Sequence, residues 1–397
     1  MVKLDMETYI KRFIDWDEYL KIYAQKDQWI EKLMSCDMIG WTREIDPKLV
    51  KLLQSVAGNI KSHFDCMVVV GIGGSFLGSY AFHKMFQKYF QDSSFEVIYA
   101  GTTLSSEYLD ELLNYLDNKN FCLNVISKSG TTMETSITYQ LLKDLLKRKY
   151  GDETENHIIV TTDKKKGKLR EEVNECGYLS FEIPEDIGGR YSFMTSAHLL
   201  PLALNYDIEK IVDGYYDGKR YLDEAFQYAV MRYLLYKSGK RVENYCVFEE
   251  KMLPFTEWLK QLFGETEGKN KKGIYPTSSL YTRDLHSMGQ FIQDGSKIEF
   301  ETFIKVENSS YYVRYHDKDL HEINNMVLDS VIRAHYSGDV PCIEMVVDSL
   351  NPETISSLIY FFQLSAAFSG LLMGVNPFDQ PGVEVYKKEV RESVGEL

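Results

Sequence analysis

The chain has 397 residues, of which 44% are hydrophobic and 26% are charged, and its formal net charge is −14. This length predicts two to three domains of ~150 residues each, and the composition is that of a folded globular protein. General binders of nucleic acid or membrane surfaces carry a basic excess, so the acidic balance argues against both partners. An anionic small-molecule substrate remains compatible, because the local field at one site decides its binding.

Cysteine usage and the N-terminus predict a cytoplasmic protein. The six cysteines are spread along the chain without a CxxC pair, and reduced buried thiols are the usual state in such a pattern. Asp5, Glu7 and Asp15 interrupt the N-terminus where a signal peptide would need an apolar core. The longest apolar stretch, residues 358–375, includes Gln363 and several small residues, so we predict a buried helix and no membrane span.

The predicted elements give an α/β fold with two doubly wound parallel sheets. Residues 1–58 are predicted as a helical N-terminal extension that packs on the first domain. Residues 59–204 contain continuous apolar strands, at 66–70, 97–100, 122–126 and 158–161, that alternate with helices. Such alternation is typical of a parallel sheet covered by helices on both faces. Residues 205–375 are predicted to form a second such domain, and residues 376–397 a C-terminal tail.

The segment Asn124-Val-Ile-Ser-Lys-Ser-Gly-Thr-Thr-Met-Glu-Thr135 predicts an anion cradle. A strand ends there in a loop of small hydroxyl residues, and a helix begins from about Glu134. Free backbone N–H groups and the positive end of the helix dipole converge at such a junction. The ordinary alternative is a helix cap with an ST-turn, which needs only one or two of the hydroxyls. A second glycine loop, Gly71-Ile-Gly-Gly-Ser-Phe-Leu-Gly78, should lie beside this cradle at the carboxyl ends of the strands.

Neither of two apparent nucleotide motifs has the required spacing. In the loop at 71–78 the third glycine of G-x-G-x-x-G is replaced by Phe76. The segment Gly264-Glu-Thr-Glu-Gly268-Lys269 has three residues between its glycines where a P-loop has four, and Asn270 stands at the Ser/Thr position. The sequence therefore predicts a phosphate cradle without a nucleotide site.

Four isolated polar residues are candidates for chemistry, and each has an ordinary alternative. Glu265 is predicted in a loop after an apolar helix, where partial desolvation would raise its basicity; the alternative is a solvated loop acid like Glu267. His286 lies in a dense polar cluster but could be structural, and no metal-ligand spacing surrounds it. Arg190 could be an anion clamp or an ordinary helix-start arginine. Lys387 could belong to a solvated helix face.

Taken together, the motifs resemble the glucose-6-phosphate isomerase (phosphoglucose isomerase) family in its shorter bacterial form. The resemblance covers residues from about 60 to 390 in the family's order, and it is most specific at residues 261–269 and 376–384. The segments that carry it are Gly71–Gly78, Ser127–Thr135, Gly188–Ser192, Gln261–Lys269, Leu285–Gln290 and Asp379–Lys388. The Ser-Gly-Thr-Thr type of loop alone would be shared with many sugar isomerase (SIS) domains.

The resemblance implies two SIS-type domains and a homodimer with a shared active site at the subunit interface. It implies interconversion of glucose 6-phosphate and fructose 6-phosphate through an enediolate, in glycolysis and gluconeogenesis, without metal or cofactor. By position, Glu265 resembles the family's base, Arg190 the residue facing the enediolate, and His286, from the neighbouring subunit, acts with Lys387 in ring opening. The implied phosphate ligands are Ser127, Ser129, Thr132 and Thr135, and the implied sugar contacts are Gly74, Ser75, Gln261 and Gln380.

Two departures and two competing functions stay open at this stage. Thr266 stands where the family commonly has Ser, and His198 where it commonly has a small residue, so either could alter sugar selectivity. The nearest competing function is a dual phosphoglucose/phosphomannose isomerase. The other is a non-catalytic SIS-type sensor of sugar phosphates, which should lack the base and carry a DNA-binding or partner module.

Overall fold

The computed structural model describes residues 2–5, 7–90, 94–128, 130 and 132–395. The chain divides into two compact units. We call residues 37–209 with 394–397 the first unit, and residues 1–36 with 210–393 the second unit. The described strands are β1 Val2–Asp5, β2 Cys66–Val70, β3 Glu96–Ala100, β4 Phe121–Ile126, β5 Ile158–Thr162, β6 Leu179–Glu182, β7 Val242–Val247, β8 Tyr275–Leu280, β9 Glu299–Asn308, β10 Arg314–Tyr315, β11 Lys318–Asp319 and β12 Cys342–Ser349.

Helices fill most of the remaining described chain. The α-helices are α1 Trp16–Tyr23, α2 Lys26–Met34, α3 Pro47–His63, α4 Leu77–Phe86, α5 Ser106–Asp117, α6 Met133–Tyr150, α7 Lys168–Cys176, α8 Ser196–Ala203, α9 Ile208–Asp217, α10 Leu222–Lys237, α11 Leu253–Glu267, α12 Leu285–Asp294, α13 Leu320–Ser337, α14 Pro352–Leu372 and α15 Val383–Val394. Short 3₁₀ turns lie at Lys11–Phe13, Gly40–Thr42, Gly73–Ser75, Gly151–His157, Gly189–Met194, Gly218–Tyr221 and Glu250–Met252.

The first unit contains a five-stranded sheet in the order β3-β2-β4-β5-β6, with every pair parallel. Its central strands β2, β4 and β5 are buried along their whole length, which explains their unbroken apolar sequence. The chain leaves β2 for one edge of the sheet and returns on the other side at β4. The topological switch point therefore lies between the carboxyl ends of β2 and β4, where open α/β sheets bind ligands.

The second unit repeats the first four strands of this order, and the antiparallel strand β1 takes the place that β6 has in the first sheet. Its sheet runs β1-β12-β9-β7-β8, in which β1 is antiparallel to β12 and the other pairs are parallel. Helix α14 is buried against this unit's core. It is the one helix in the described part of the chain that is long and apolar enough to cross a membrane, and it is completely covered by protein. The prediction of an α/β fold with parallel sheets is confirmed in both units.

Three elements differ from the sequence-based expectations. Residues 1–58, predicted as one extension, are divided between the two units, and residues 2–5 form β1 on the second sheet. The strands β6 and β8 were not predicted, because both are edge strands with polar residues and lack the apolar signature of buried strands. Helix α11 continues to Glu267, so Glu265 lies in its last turn and the prediction of a loop position is wrong.

Candidate active site

The structure divides the predicted site residues between the two units. Those in the first unit are Gly74, Ser75, Ser127, Thr132, Thr135 and Arg190. Those in the second unit are Gln261, Glu265, His286, Gln380 and Lys387. Ser129 falls outside the described residues.

Two glycine-containing loops of the first unit meet at the switch point. The 3₁₀ turn Gly73–Ser75 follows β2, and the loop before α6 follows β4. Gly101, at the end of the neighbouring strand, lies against both: a Cβ added there would be 3.2 Å from Gly71 N and 3.5 Å from Thr135 Cα. The predicted juxtaposition of the two loops is therefore present in this unit.

The loop after β4 and the first turn of α6 contain three of the predicted phosphate ligands, Ser127, Thr132 and Thr135. The buried hydroxyl of Ser127 accepts a hydrogen bond from Gly130 N at 3.0 Å, so this side chain also shapes the turn. Thr132 precedes α6 but makes no side-chain cap. The Thr135 hydroxyl is buried and has no hydrogen-bond partner within the described residues. An anion at the start of α6 would accept hydrogen bonds from these hydroxyls, and the positive end of the helix dipole would stabilise its charge.

Arg190 lies at the same end of the sheet, because the backbone of its neighbour Gly189 packs directly against Gly74. A Cβ added to Gly74 would lie 2.3–2.6 Å from backbone atoms of Gly189, so only glycine permits this contact. Ser192 Oγ donates to Gly189 O at 2.7 Å and lies 3.1 Å from Gly74 O. Arg190 itself is buried, with its guanidinium carbon 5.5 Å from the centroid of the Tyr191 ring. The fold thus fixes one cation beside the glycine loop.

His198 contacts the backbone of the glycine loop at Gly74 and of helix α4 at Ser79. The sequence did not identify it as a structural residue. Its Nε2 lies 2.8 Å from Gly74 O, and its Nδ1 accepts from Ser79 N at 3.0 Å. A single tautomer satisfies both contacts, with the proton on Nε2. Burial lowers the pKa of His198 to about 4, so the ring is neutral at physiological pH. His198 therefore supports the backbone of the glycine loop at Gly74.

The buried His198 predicts a loss of stability in acid. The unfolded chain, with a His pKa near ~6.5, binds more protons than the folded chain between about pH 6.5 and pH 4, so the free energy of unfolding falls as pH decreases through that window. We expect a decrease of about 2–3 kcal/mol between pH 7 and pH 4.5 from this group. Denaturant unfolding at both pH values should show that His198→Asn removes this component, whereas His63→Asn, at an exposed histidine, leaves it. An unchanged pH dependence in His198→Asn would contradict the assignment.

In the second unit, Glu265 lies half-buried in the last turn of α11. Gln261, one turn earlier, donates from Nε2 to Glu265 Oε1 at 3.1 Å. The other polar atom of that amide, Gln261 Oε1, is buried and has no hydrogen-bond partner in the described part of the chain. The predicted base and one predicted sugar contact are therefore adjacent, and the amide retains an acceptor for a ligand hydroxyl.

Glu267 is not the solvated loop acid that the sequence suggested. It is completely buried at the end of α11 and forms an ion pair with Arg232. Lys269, just beyond the helix, pairs with Asp379 Oδ1 at 2.9 Å and bonds Asn376 O. These contacts join the segment that carries Gln380 to the end of the helix that carries Glu265. Arg232 and Glu267 were missed because no local pattern pairs residues 35 positions apart.

His286 and Lys387 are both exposed. His286 lies in the first turn of α12, and its ring makes no hydrogen bond or ion pair with the described residues of this chain. The same helix exposes 46% of Met288 and 44% of Phe291. Lys387 lies on α15, and its Nζ is 2.9 Å from Glu384 Oε1.

The two units present different kinds of functional group. The first unit offers a set of anion donors and a buried cation at a switch point. The second unit offers a carboxylate held by an amide, with a surface histidine and a surface lysine as further acid–base groups. Within the described residues, no cluster of three or more His, Cys, Asp or Glu side chains has metal-binding geometry.

Comparison with known proteins is consistent with these features. The sequence profile described as Phosphoglucose isomerase matches residues 48–270 and 280–396. A glucose-6-phosphate isomerase from Staphylococcus saprophyticus is 40% identical over 386 residues, covering 90% of this chain and 87% of the relative. One from Streptococcus thermophilus is 38% identical over 431 residues, covering 99% of this chain and 96% of the relative.

Solved structures share the fold. A hypothetical protein from Thermus thermophilus matches with a TM-score of 0.88 at 24% identity, over 100% of both chains. A glucose-6-phosphate isomerase from Chlamydia trachomatis matches with a TM-score of 0.77 at 20% identity, over 90% of this chain and 77% of that one. At these identities the structural matches support the α/β fold of the chain.

Proposed function

Because this chain belongs to the phosphoglucose isomerase family, we propose that Glu265 is the base of an aldose–ketose isomerase acting on glucose 6-phosphate and fructose 6-phosphate. Membership of the family identifies the reaction as the isomerisation of these two sugar phosphates, which is a step of glycolysis. The roles of individual residues are our proposal. The observation that carries it is the half-buried Glu265 carboxylate at the end of α11, held by Gln261 at 3.1 Å. A carboxylate fixed in this way can remove a proton from carbon next to a carbonyl.

The chemistry moves a proton between two neighbouring carbons. In the aldose-to-ketose direction, the C2–H bond breaks and Glu265 takes the proton. The C–H electron pair forms the double bond between C1 and C2, and the π pair of the C1 carbonyl moves onto the C1 oxygen, which gives the enediolate. The protonated Glu265 then returns its proton to C1 as the C2 oxygen becomes the ketone, and the hydroxyl proton of the C2 oxygen passes to the C1 oxygen. No electron acceptor is required, because C1 is reduced as C2 is oxidised. A positioned base contributes roughly 10²–10⁴-fold to such a step.

Arg190 is proposed to stabilise the negative charge that develops on the enediolate oxygens. Arg190 is buried in the first unit, and the close contact between Gly74 and Gly189 holds the backbone next to it against the glycine loop. A buried, preorganised cation stabilises a developing oxyanion more strongly than a solvated one would, and loss of one such group typically lowers the rate by about 10²–10³-fold.

The substrate's phosphate is proposed to bind at the start of α6. The proposed ligands are Ser127, Thr132 and Thr135, which lie within the described residues, and Ser129, which lies outside them. The phosphate is several bonds from the reacting carbons, so its binding energy orients a flexible open-chain sugar and takes no part in the proton transfer. Gly74, Ser75, Gln261 and Gln380 are proposed to contact the sugar hydroxyls.

Ring opening is assigned to His286 and Lys387, which we propose come from different subunits of a homodimer. Support comes from α12, which exposes the His286 ring beside the apolar side chains of Met288 and Phe291. An exposed catalytic histidine beside apolar surface fits a helix that is covered by a second copy of the chain.

We propose a cytoplasmic location, which is consistent with six free thiols, four of them buried.

An isomerisation assay with purified protein and a chelator tests this function. Conversion of fructose 6-phosphate to glucose 6-phosphate should proceed undiminished by the chelator, because the proposed groups supply base, cation and acid from the protein. Turnover of mannose 6-phosphate at a comparable rate would instead indicate the dual isomerase. Sugar-phosphate binding without turnover would indicate a sensor and would overturn the proposal.

A further inference from the structure

A fully buried arginine connects three elements of the second unit. Arg232 of α10 lies between Glu243 of β7 and Glu267 of α11, and the side chains of all three residues are 0% exposed. Its Nε donates to Glu243 Oε2 at 2.7 Å, and its Nη1 bonds the Glu267 carboxylate. The same Nη1 also donates to Ser369 Oγ at 2.8 Å.

Each carboxylate of this network has further donors. Glu243 accepts from the hydroxyls of Tyr228, Tyr245 and Thr302 at 2.5–2.9 Å. Glu267 accepts from Ile274 N at 3.4 Å through Oε2. Burial by itself lowers the pKa of the Arg232 guanidinium, but the two carboxylates outweigh burial and raise the pKa above its ordinary value. The Arg232 guanidinium is therefore charged, and both carboxylates beside it accept further hydrogen bonds.

Glu267 is the point at which this network holds the end of α11. It is the last residue of the helix, and the chain beyond it turns back, with Lys269 N donating to Glu267 O at 2.7 Å. Glu265 lies two residues earlier in the same turn, so a shift of Glu267 would move the Glu265 carboxylate. A displacement of about 1 Å in a catalytic group can lower a rate by about 10²-fold.

We propose that Arg232 and Glu267 are positioning residues that fix the Glu265 carboxylate for proton transfer; this rests on the proposed function. Stability alone does not explain the ion pair, because a buried pair often contributes less than apolar residues of similar volume. Apolar anchoring of α11 is already supplied by Leu259, Leu262 and Phe263. The hydrogen bonds from Arg232 to Glu267 are directional, so they fix the orientation of the last turn of α11. Apolar contacts do not fix that orientation.

The test is Glu267→Gln, which keeps the side-chain shape and removes the charge that pairs with Arg232. We expect kcat for fructose 6-phosphate to fall about 10–100-fold, with KM within about twofold. The matched control is Glu301→Gln, at another fully buried glutamate of the same unit, whose carboxylate lies 2.6 Å from His335 Nδ1. The other hydrogen bonds of this carboxylate come from Tyr281, Asn244 and Cys246, none of which lies on α11. Glu301→Gln should lower the melting temperature without a selective loss of kcat.

Deuterium transfer provides a readout that a purely structural role would not change. With glucose 6-phosphate deuterated at C2, Glu265 takes the deuteron and returns part of it to C1 of the product. A displaced carboxylate gives more time for exchange with water, so deuterium retention at C1 should fall in Glu267→Gln and remain at the wild-type value in Glu301→Gln. Should Glu267→Gln not fold, Arg232→Lys retains the positive charge but cannot hold both carboxylates, and the same selective defect is expected.

The outcomes separate the two proposals. Wild-type kcat and deuterium retention in folded Glu267→Gln would overturn the positioning role, as would losses that only match those of Glu301→Gln. If Glu265→Gln is inactive at the same time, the proposed function stands. If Glu265→Gln is active, the base assignment fails and the positioning role fails with it.

Discussion

Replacing Glu265 by Gln is expected to lower kcat by about 10²–10⁴-fold while the affinity for fructose 6-phosphate stays within about twofold. The amide keeps the size of the side chain and can still contact Gln261, but it cannot accept a proton from C2. The phosphate group of the substrate is proposed to bind at the start of α6 and makes no contact with Glu265, so binding of the ground-state substrate is preserved. Turnover is measured by a coupled assay, and binding by calorimetry.

Glu257→Gln is the matched control for this change. Glu257 lies on the same helix, is exposed, and pairs with Lys260 at 2.6 Å. Its replacement should leave kcat unchanged, because exposed pairs of this kind contribute about 0–1 kcal/mol to stability. A Glu265→Gln enzyme with near-normal turnover would refute the base assignment.

Mixing inactive subunits should restore activity if the active site is shared. His286→Ala and Lys387→Ala each remove one ring-opening group, and each homodimer is expected to be nearly inactive. After reversible dissociation and equimolar mixing, about half of the dimers are heterodimers, and each heterodimer has one site with both groups intact. We therefore expect about one quarter of the wild-type activity to return.

Two controls define this experiment. Native mass spectrometry must show that heterodimers have formed, and the double variant His286→Ala/Lys387→Ala mixed with itself must stay inactive. If heterodimers form and the mixture stays inactive, His286 and Lys387 do not come from different subunits, and the shared site is wrong.

The parts of the fold that sequence predicted are those with a strong local pattern. The strands β2, β4 and β5 are buried on both faces, so their apolar runs identify them without tertiary information. The edge strands β6 and β8 depend on a neighbour for pairing and carry little apolar signal, so they were missed. The strand β1 was missed for the same reason, since it is defined by antiparallel pairing with a strand more than 300 residues away.

Side-chain environment was predictable only where local sequence determines it. Two glycines flanking acidic residues at 264–268 suggested a loop, but packing on the rest of the unit extends α11 through Glu267. The burial of Glu267 depends on Arg232, and that of His198 on Gly74 and Ser79, contacts that arise only in the folded chain. The roles of Ser127, Thr135 and Arg190 remain predictions that their burial and position support.

Solvent exchange at C2 tests the role of Glu265 most directly. In deuterium oxide, ¹H NMR follows loss of the C2 proton of glucose 6-phosphate. Wild-type protein should exchange or transfer this proton during turnover, and Glu265→Gln, saturated with the same sugar, should leave it in place over many wild-type turnover times. Loss of the C2 proton at the wild-type rate in Glu265→Gln would show that another group removes it.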